Sequence, residues 1–243
     1  MQSLSFLAPL DWIALSLFII FWVGYTLVSK SLQKSRPTIA NQLAASRIEW
    51  IEQMIEREVR ISDITSLGIL QRNVTFFAST TIFIIAGLLT VLGSSDKAIQ
   101  LLSALPWIEV ESKASWELKV LLLVVSFSYA FFKFTWAMRQ YNFSIVLFGA
   151  APEANAAAKD KALFTKHCNW LLTRATNSFN YGLRCYSFAI AALCWFINAW
   201  FFIGCTLFVV AVLYRREFKS STLAALYNAS HHNSEKPLSD HLI

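Results

Sequence analysis

Carboxylates are missing from the interior of every long apolar stretch in this chain, and only 15% of its 243 residues are charged at all. Soluble domains carry about 25% charged residues, so the deficit excludes water as the main solvent of the surface. It also removes the buried Asp or Glu that proton- and sodium-coupled transporters use at their coupling sites. Glycine is scarce, with seven residues, and they assemble no phosphate-binding loop. No H-E-x-x-H, G-x-S-x-G or paired carboxylates on one apolar face occur. Ser79, Thr80 and Thr81 offer hydroxyls but share their apolar segment with no histidine, so no nucleophile is assigned there. No catalytic residue is expected, and the chain is read as a non-enzyme.

Cysteine is equally sparse. Cys168, Cys185, Cys194 and Cys205 form no C-x-x-C pair, and three of the four lie in apolar segments, where Cys packs as a small apolar residue. Neither a disulfide framework nor a metal site is expected, and no cofactor either. His167 stands alone beside Cys168, and His231 and His232 sit in a polar tail. The first ten residues contain no Lys or Arg and no A-x-A site precedes the first apolar run, so no cleavable signal peptide is expected.

What is abundant is hydrophobicity: 56% of residues are apolar and the mean hydropathy is +0.49. A membrane-crossing helix needs about 20 apolar residues. Such runs are read at about 12–29, 75–93 and 118–138. From Tyr181 to Tyr214 the apolar run is too long for one ordinary crossing. A break at Ile197-Asn198 divides it into crossings at about 181–197 and 199–214, with Trp195 and Trp200 expected as interfacial indoles.

The basic residues orient these crossings. Seven fall between Lys30 and Arg72, six between Arg139 and Arg184 and four after Tyr214, against Lys97 and Lys113 between the second and third runs. The positive-inside rule then places the N-terminus outside and the C-terminus inside. The net charge of +6 fits loops facing anionic lipid better than nucleic acid. The expected fold is an all-α multi-pass bundle of about five transmembrane helices with two cytoplasmic amphipathic helices. Residues 1–225 form a single membrane domain and 226–243 a flexible polar tail. The expected location is the plasma membrane, which in a bacterium is the inner membrane.

The cytoplasmic helices are expected at about 40–66 and 152–176. In the first, Ile48, Ile51, Ile55 and Val59 make an apolar stripe, widened by Met54 and Ile61, and Glu56 and Arg60 stand at the i,i+4 offset. In the second, Pro152 suits the first turn of an alanine-rich helix. The sequons at Asn73, Asn142 and Asn228 fall on the inside and are expected to stay unglycosylated.

Polar and small residues recur at helical spacing within the apolar runs. Lys119, Ser126, Lys133 and Gln140 are seven apart; so are Asn73, Thr80, Gly87 and Ser94. Asn180, Arg184, Ser187, Ala191, Cys194 and Asn198 form a third series. Small faces let membrane helices approach closely, so Thr80, Gly87, Ser126 and Ser187 are expected at helix contacts, Gly87 at a close one. Lys119 is expected to reach the outer headgroups. Lys133, Arg139 and Arg184 are expected to gather near the cytoplasmic face beside Asn73, Asn142, Asn177 and Asn180. That set would bind a small anion or a lipid phosphate.

Several stretches resemble the uncharacterised family catalogued as domain of unknown function 599. They are Arg72-Asn73 leading into Phe76-Phe77-Ala78-Ser79-Thr80, Trp116-Glu117-Leu118-Lys119, and Phe131-Phe132-Lys133-Phe134 followed by Arg139-Gln140-Tyr141-Asn142. Phe179-Asn180-Tyr181-Gly182-Leu183-Arg184 and Tyr214-Arg215-Arg216-Glu217-Phe218 complete the set. The resemblance covers most of residues 10–225. It implies a multi-pass membrane protein of bacteria and plants and transfers no activity, ligand or catalytic residue.

The leading function is therefore handling of an anionic solute or lipid headgroup, as channel, carrier or binding element. The alternative is a structural or assembly factor whose cytoplasmic helices bind a partner protein. A membrane enzyme acting on lipid ranks third. The partners expected are the bilayer, an anionic lipid or small anion, and a partner protein or second copy.

Overall fold

The computed structural model describes residues 7–33, 38–102 and 112–230. All regular elements among these residues are helical: α1 (Pro9–Leu32), α2 (Ile39–Ile55), α3 (Ile61–Gly93), α4 (Ser95–Leu102), α5 (Lys113–Gly149), α6 (Ala158–Leu193), α7 (Ala199–Phe218) and α8 (Ser221–Ser230). A 3₁₀ turn, Cys194–Phe196, follows α6. Four helices start on a side-chain cap that accepts the backbone N–H three residues on. Thr38 accepts from Asn41 (3.3 Å), Ser112 from Ser115 (3.2 Å), Asn198 from Phe201 (2.7 Å) and Ser220 from Leu223 (3.2 Å). Each satisfies a donor that helix geometry leaves orphaned.

Among the described residues, four helical stretches are long and apolar enough to cross a membrane: Pro9–Leu32, Ile61–Gly93, Lys113–Gly149 and Ala199–Asn228. Their outer faces carry large exposed apolar side chains, among them Ile20 and Leu27 on α1, Phe83 on α3 and Phe208 on α7. Lipid suits such faces as solvent and water does not. The expected crossing at 181–197 is not among the four. It forms the end of α6, where Cys185, Phe188, Ala189, Ala191 and Ala192 are buried. Protein covers the side of that helix carrying these small residues, while Ile190 and Leu193 are exposed. The break in the long apolar run falls between Leu193 and Ala199, as its length requires.

Several boundaries differ from expectation. The helix expected over 40–66 ends at Ile55, and Ile61 already starts α3, which runs without interruption into the apolar stretch. Arg60 explains the turn: its guanidinium donates to the carbonyls of Ile55 (3.1 Å), Ala151 (2.9 Å) and Pro152 (2.7 Å). A cation on carbonyls at helix C-termini is well placed for the helix dipole. Arg60 is thereby diverted from Glu56, which pairs instead with Lys161 at 2.7 Å. Val59 and Ile61 are exposed, so the apolar stripe of α2 narrows to Ile51, Met54 and Ile55. The helix expected over 152–176 begins later, at Ala158, and continues through 181–193 as one element. Pro152 lies before it, in the connection from α5. α5 itself continues eleven residues past Met138 to Gly149. Residues 226–230 of the expected tail belong to α8, which packs on α2; 231–243 lie outside the described residues.

The described residues divide into two compact units. One takes the chain through Lys30, with Ala78–Phe132 and Tyr181–Leu213. At its centre Phe18 packs edge-on to Phe188 (5.8 Å) and against Phe202 (5.1 Å), joining α1, α6 and α7. Trp22 meets Tyr129 of α5 at 6.0 Å. Thr81 and Tyr186 share a hydrogen bond of 2.7 Å, tying α3 to α6. The other unit takes Ser31–Phe77, Lys133–Asn180 and the residues from Tyr214. There Phe77, Phe134 and Phe179 form a cluster with centroids 5.5–5.7 Å apart, from α3, α5 and α6.

The small-residue series on α3 is the clearest departure. Asn73, Gly87 and Ser94 are exposed, and a Cβ added at Gly87 would meet nothing within 4 Å. Within the described chain no helix presses on Gly87. The buried side of α3 runs through Leu67, Val74, Ala78 and Thr81, one position away from the expected series. Thr80 is half-buried while Thr81 is fully buried.

Candidate functional site

The unit containing Ser31–Phe77 and Lys133–Asn180 encloses a pocket of about 630 Å³. Four helices line it, each through one face. α2 contributes Leu43, Ser46, Arg47 and Trp50, spaced i, i+3, i+4, i+7. α3 contributes Leu70, Asn73, Val74, Phe76 and Phe77, and α6 contributes Leu172, Thr176, Phe179 and Asn180. Tyr141 comes from α5. The walls are largely apolar and aromatic, with polar groups from Ser46, Arg47, Asn73, Tyr141, Thr176 and Asn180.

Arg47 is held by hydroxyls alone. Its Nη1 donates to Thr176 Oγ1 at 3.0 Å and its Nη2 to Thr173 Oγ1 at 3.1 Å. Thr176 Oγ1 donates in turn to Leu172 O at 3.0 Å. A hydroxyl has one proton, so Tyr141, 3.2 Å away, donates to Thr176. The buried Nε of Arg47 has no acceptor, and no carboxylate lines the pocket. Burial lowers the Arg47 pKa from its ordinary value, against a smaller opposing electrostatic effect from Tyr141. Such a cation gains from any anion that reaches it.

The pocket wall is braced from outside. Trp50 Nε1 donates to Asp63 Oδ1 at 2.7 Å, and Arg57 Nη1 reaches the same oxygen at 2.6 Å. Asp63 is buried in the first turn of α3, where a carboxylate suits the helix N-terminus. Thus the end of α2 is fixed to the start of α3.

Of the seven residues expected around an anion, the structure brings Asn73 and Asn180 together in this pocket, and Asn142 and Asn177 do not line it. Lys133 and Arg184 fall in different units. Arg184 donates to Ser29 Oγ at 3.0 Å and lies over the rings of Tyr25 (5.3 Å) and Tyr181 (5.7 Å). Arg139 is exposed and lies over Phe143 at 5.5 Å. Lys133 is half-buried and lines no part of the pocket. Arg47 was not among the expected residues. Its signal is the spacing of Leu43, Ser46, Arg47 and Trp50, a second face of α2 beside the apolar stripe.

The family model described as "Protein of unknown function, DUF599" matches residues 13–222. The chain belongs to this family. No curated protein and no solved structure matches it. All residues lining the pocket fall within the stretch matched by DUF599.

The other expected positions are placed as follows. Ser126 is buried on α5, and its carbonyl accepts from Cys185 Sγ at 3.0 Å. Ser187 is half-buried and donates to Leu183 O at 3.2 Å. Lys119, expected at the outer headgroups, is only 1% exposed and donates from Nζ to Trp195 O at 2.8 Å. Trp195, expected at an interface, is fully buried, and its indole N–H donates to Asp11 Oδ1 at 2.7 Å. Trp200 is exposed. Cys168 is buried, and desolvation pushes its thiol up to about 12. It is protonated at neutral pH and inert as a nucleophile.

Proposed function

We propose that this chain is a multi-pass membrane protein of five crossings, N-terminus outside and C-terminus inside, that binds an anionic group non-catalytically at Arg47. The observation that carries the binding reading is the half-buried guanidinium facing an apolar pocket, with hydroxyls and no carboxylate as partners. Asn73 and Asn180 add amide donors to the same pocket.

Charge supports the orientation. Sixteen of the 21 Lys and Arg residues fall in segments 31–77, 133–180 and 214–243, which the positive-inside rule assigns to the cytoplasmic side. The buried small residues of α6 support a fifth crossing, because a helix covered by protein need not be apolar all round. A cysteine-free parent carrying Asn198→Cys is expected to react with an impermeant thiol reagent on intact cells, and one carrying Ser220→Cys is not. Labelling at position 220 would overturn the orientation and return the count to four.

Arg47→Met is expected to weaken retention of the anion by about 10–100-fold, the value of one or two charge-assisted hydrogen bonds. Native mass spectrometry of the purified full chain reads this as loss of an anionic adduct. Adducts of equal abundance on the parent and on a folded Arg47→Met variant would refute the site.

A further inference from the structure

The pocket is far larger than an inorganic anion. Its volume of about 630 Å³ corresponds to roughly twenty water volumes at ~30 Å³ each, and a phosphate group takes only a few. The remaining space faces Trp50, Val74, Phe77, Leu172 and Phe179, none of which offers an anion a donor into an otherwise apolar wall except the Trp50 indole. That N–H is already committed to Asp63. A ligand that filled the pocket and satisfied Arg47 would therefore be anionic where it meets Arg47 and apolar over most of the surface it presents to the wall.

The rim points the same way. Leu43, Leu70 and Phe76 line the pocket and are also exposed, Phe76 by 66%. Phe76 stands on α3 where the crossing read at about 75–93 begins and Leu70 less than two turns before it, so the rim falls at the inner edge of that crossing. A mouth bordered by exposed Leu and Phe is solvated by acyl chains more readily than by water. The exception is Asn73 on the same rim, an amide suited to hydrogen-bond an ester or glycerol oxygen next to a charged headgroup.

We infer that the occupant is an anionic amphiphile drawn from the bilayer, its phosphate or carboxylate at Arg47 and its hydrocarbon leaving past Leu43, Leu70 and Phe76. The inference rests on the anion reading of Arg47 and adds the chemical class of the ligand and its route. A soluble anion would share the headgroup chemistry but use neither the apolar wall nor the rim.

The full chain reconstituted in phosphatidylcholine nanodiscs containing about 10% phosphatidylglycerol tests this. After release into detergent, native mass spectrometry is expected to find one phosphatidylglycerol retained, favoured over phosphatidylcholine at least about tenfold relative to their supply. Inorganic phosphate at about 10 mM is expected not to displace it. Arg47→Met is expected to abolish the selectivity. Leu70→Gln, at an exposed position on the rim, is expected to reduce lipid retention while leaving Arg47 in place. Equal retention of the two lipids by the parent would remove charge selection and with it the anion reading itself. Retention of labelled inorganic phosphate that depends on Arg47, with no retained lipid and no effect of Leu70→Gln, would leave the anion reading standing and overturn the amphiphile. If Arg47→Met fails to fold, the Leu70→Gln and lipid-competition arms still decide.

Discussion

Trp195→Ala is expected to destabilise the protein by about 3–5 kcal/mol, the range for truncating a large core aromatic. Trp195 is fully buried and stacks on Phe202 with centroids 5.0 Å apart and planes 14° from parallel. Its indole N–H donates to Asp11, and its ring lies 5.1 Å from Lys119 Nζ. The substitution removes the stack, opens a cavity and strips Asp11 of a donor. Trp195→Phe keeps most of the stack and loses the N–H to half-buried Asp11, so its cost should be nearer the ~1 kcal/mol of one hydrogen bond. Thermal unfolding of the detergent-purified variants measures both. Parent-like stability of Trp195→Ala would mean that the turn between α6 and α7 is not fixed by this residue.

The same neighbourhood explains a buried cation without any ligand. Lys119 donates to the carbonyl of Trp195, which lies in the 3₁₀ turn that follows α6. Carbonyls at the end of a helical segment carry partial negative charge and lack intrahelical donors. A buried lysine there completes a helix end. Arg60 does the same for the ends of α2 and α5. Arg47 differs from both, since its partners are side-chain hydroxyls and its Nε is left over. That contrast is what supports the proposal that Arg47, unlike Lys119 and Arg60, serves a ligand.

Length and composition are local properties, and they made the helical class and the long apolar stretches legible in the sequence. The division of residues 181–214 followed from the limit on one crossing, and Asn198 marks it by capping α7. Facing was harder to read. α3 shows no single strong apolar stripe over its 33 residues, so periodicity does not say which side is covered. Choosing small residues at seven-residue spacing picked Thr80 and Gly87, whereas the buried line passes through Val74, Ala78 and Thr81. A shift of one residue turns a helix by about 100°, enough to exchange a buried face for an exposed one. The candidate site was legible in part. Asn73 and Asn180 stood out as polar residues beside apolar runs. Arg47 did not, because a cation on an amphipathic helix looks like any solvated residue until the helices packed against it are known. The Glu56–Arg60 pair failed for a related reason: Arg60 meets stronger acceptors from residues far along the chain than from its own helix.

Asp63→Ala should impair the pocket without altering any side chain that lines it. Asp63 is 3% exposed, and a single oxygen, Oδ1, accepts from Trp50 and Arg57. Removing it leaves the indole N–H of half-buried Trp50 without its acceptor, a cost toward the lower part of about 1–3 kcal/mol. The Arg57 contribution is discounted, since that side chain is 42% exposed and solvent screens the pair. Losing a carboxylate that was costly to bury offsets part of the remainder. A net destabilisation of about 1 kcal/mol is expected in thermal unfolding. The larger effect should fall on binding, because Trp50 forms a wall of the pocket one turn from Arg47 and its orientation depends on this hydrogen bond. Anion or lipid retention is expected to fall about tenfold at a temperature where the variant remains folded, with charge selectivity kept because Arg47 and its threonines are untouched. Asp63→Asn retains an acceptor for Trp50 and should recover most of the binding but little of the Arg57 contact. Equal loss in Asp63→Ala and Asp63→Asn would place the weight on Arg57 and remove Trp50 from the account.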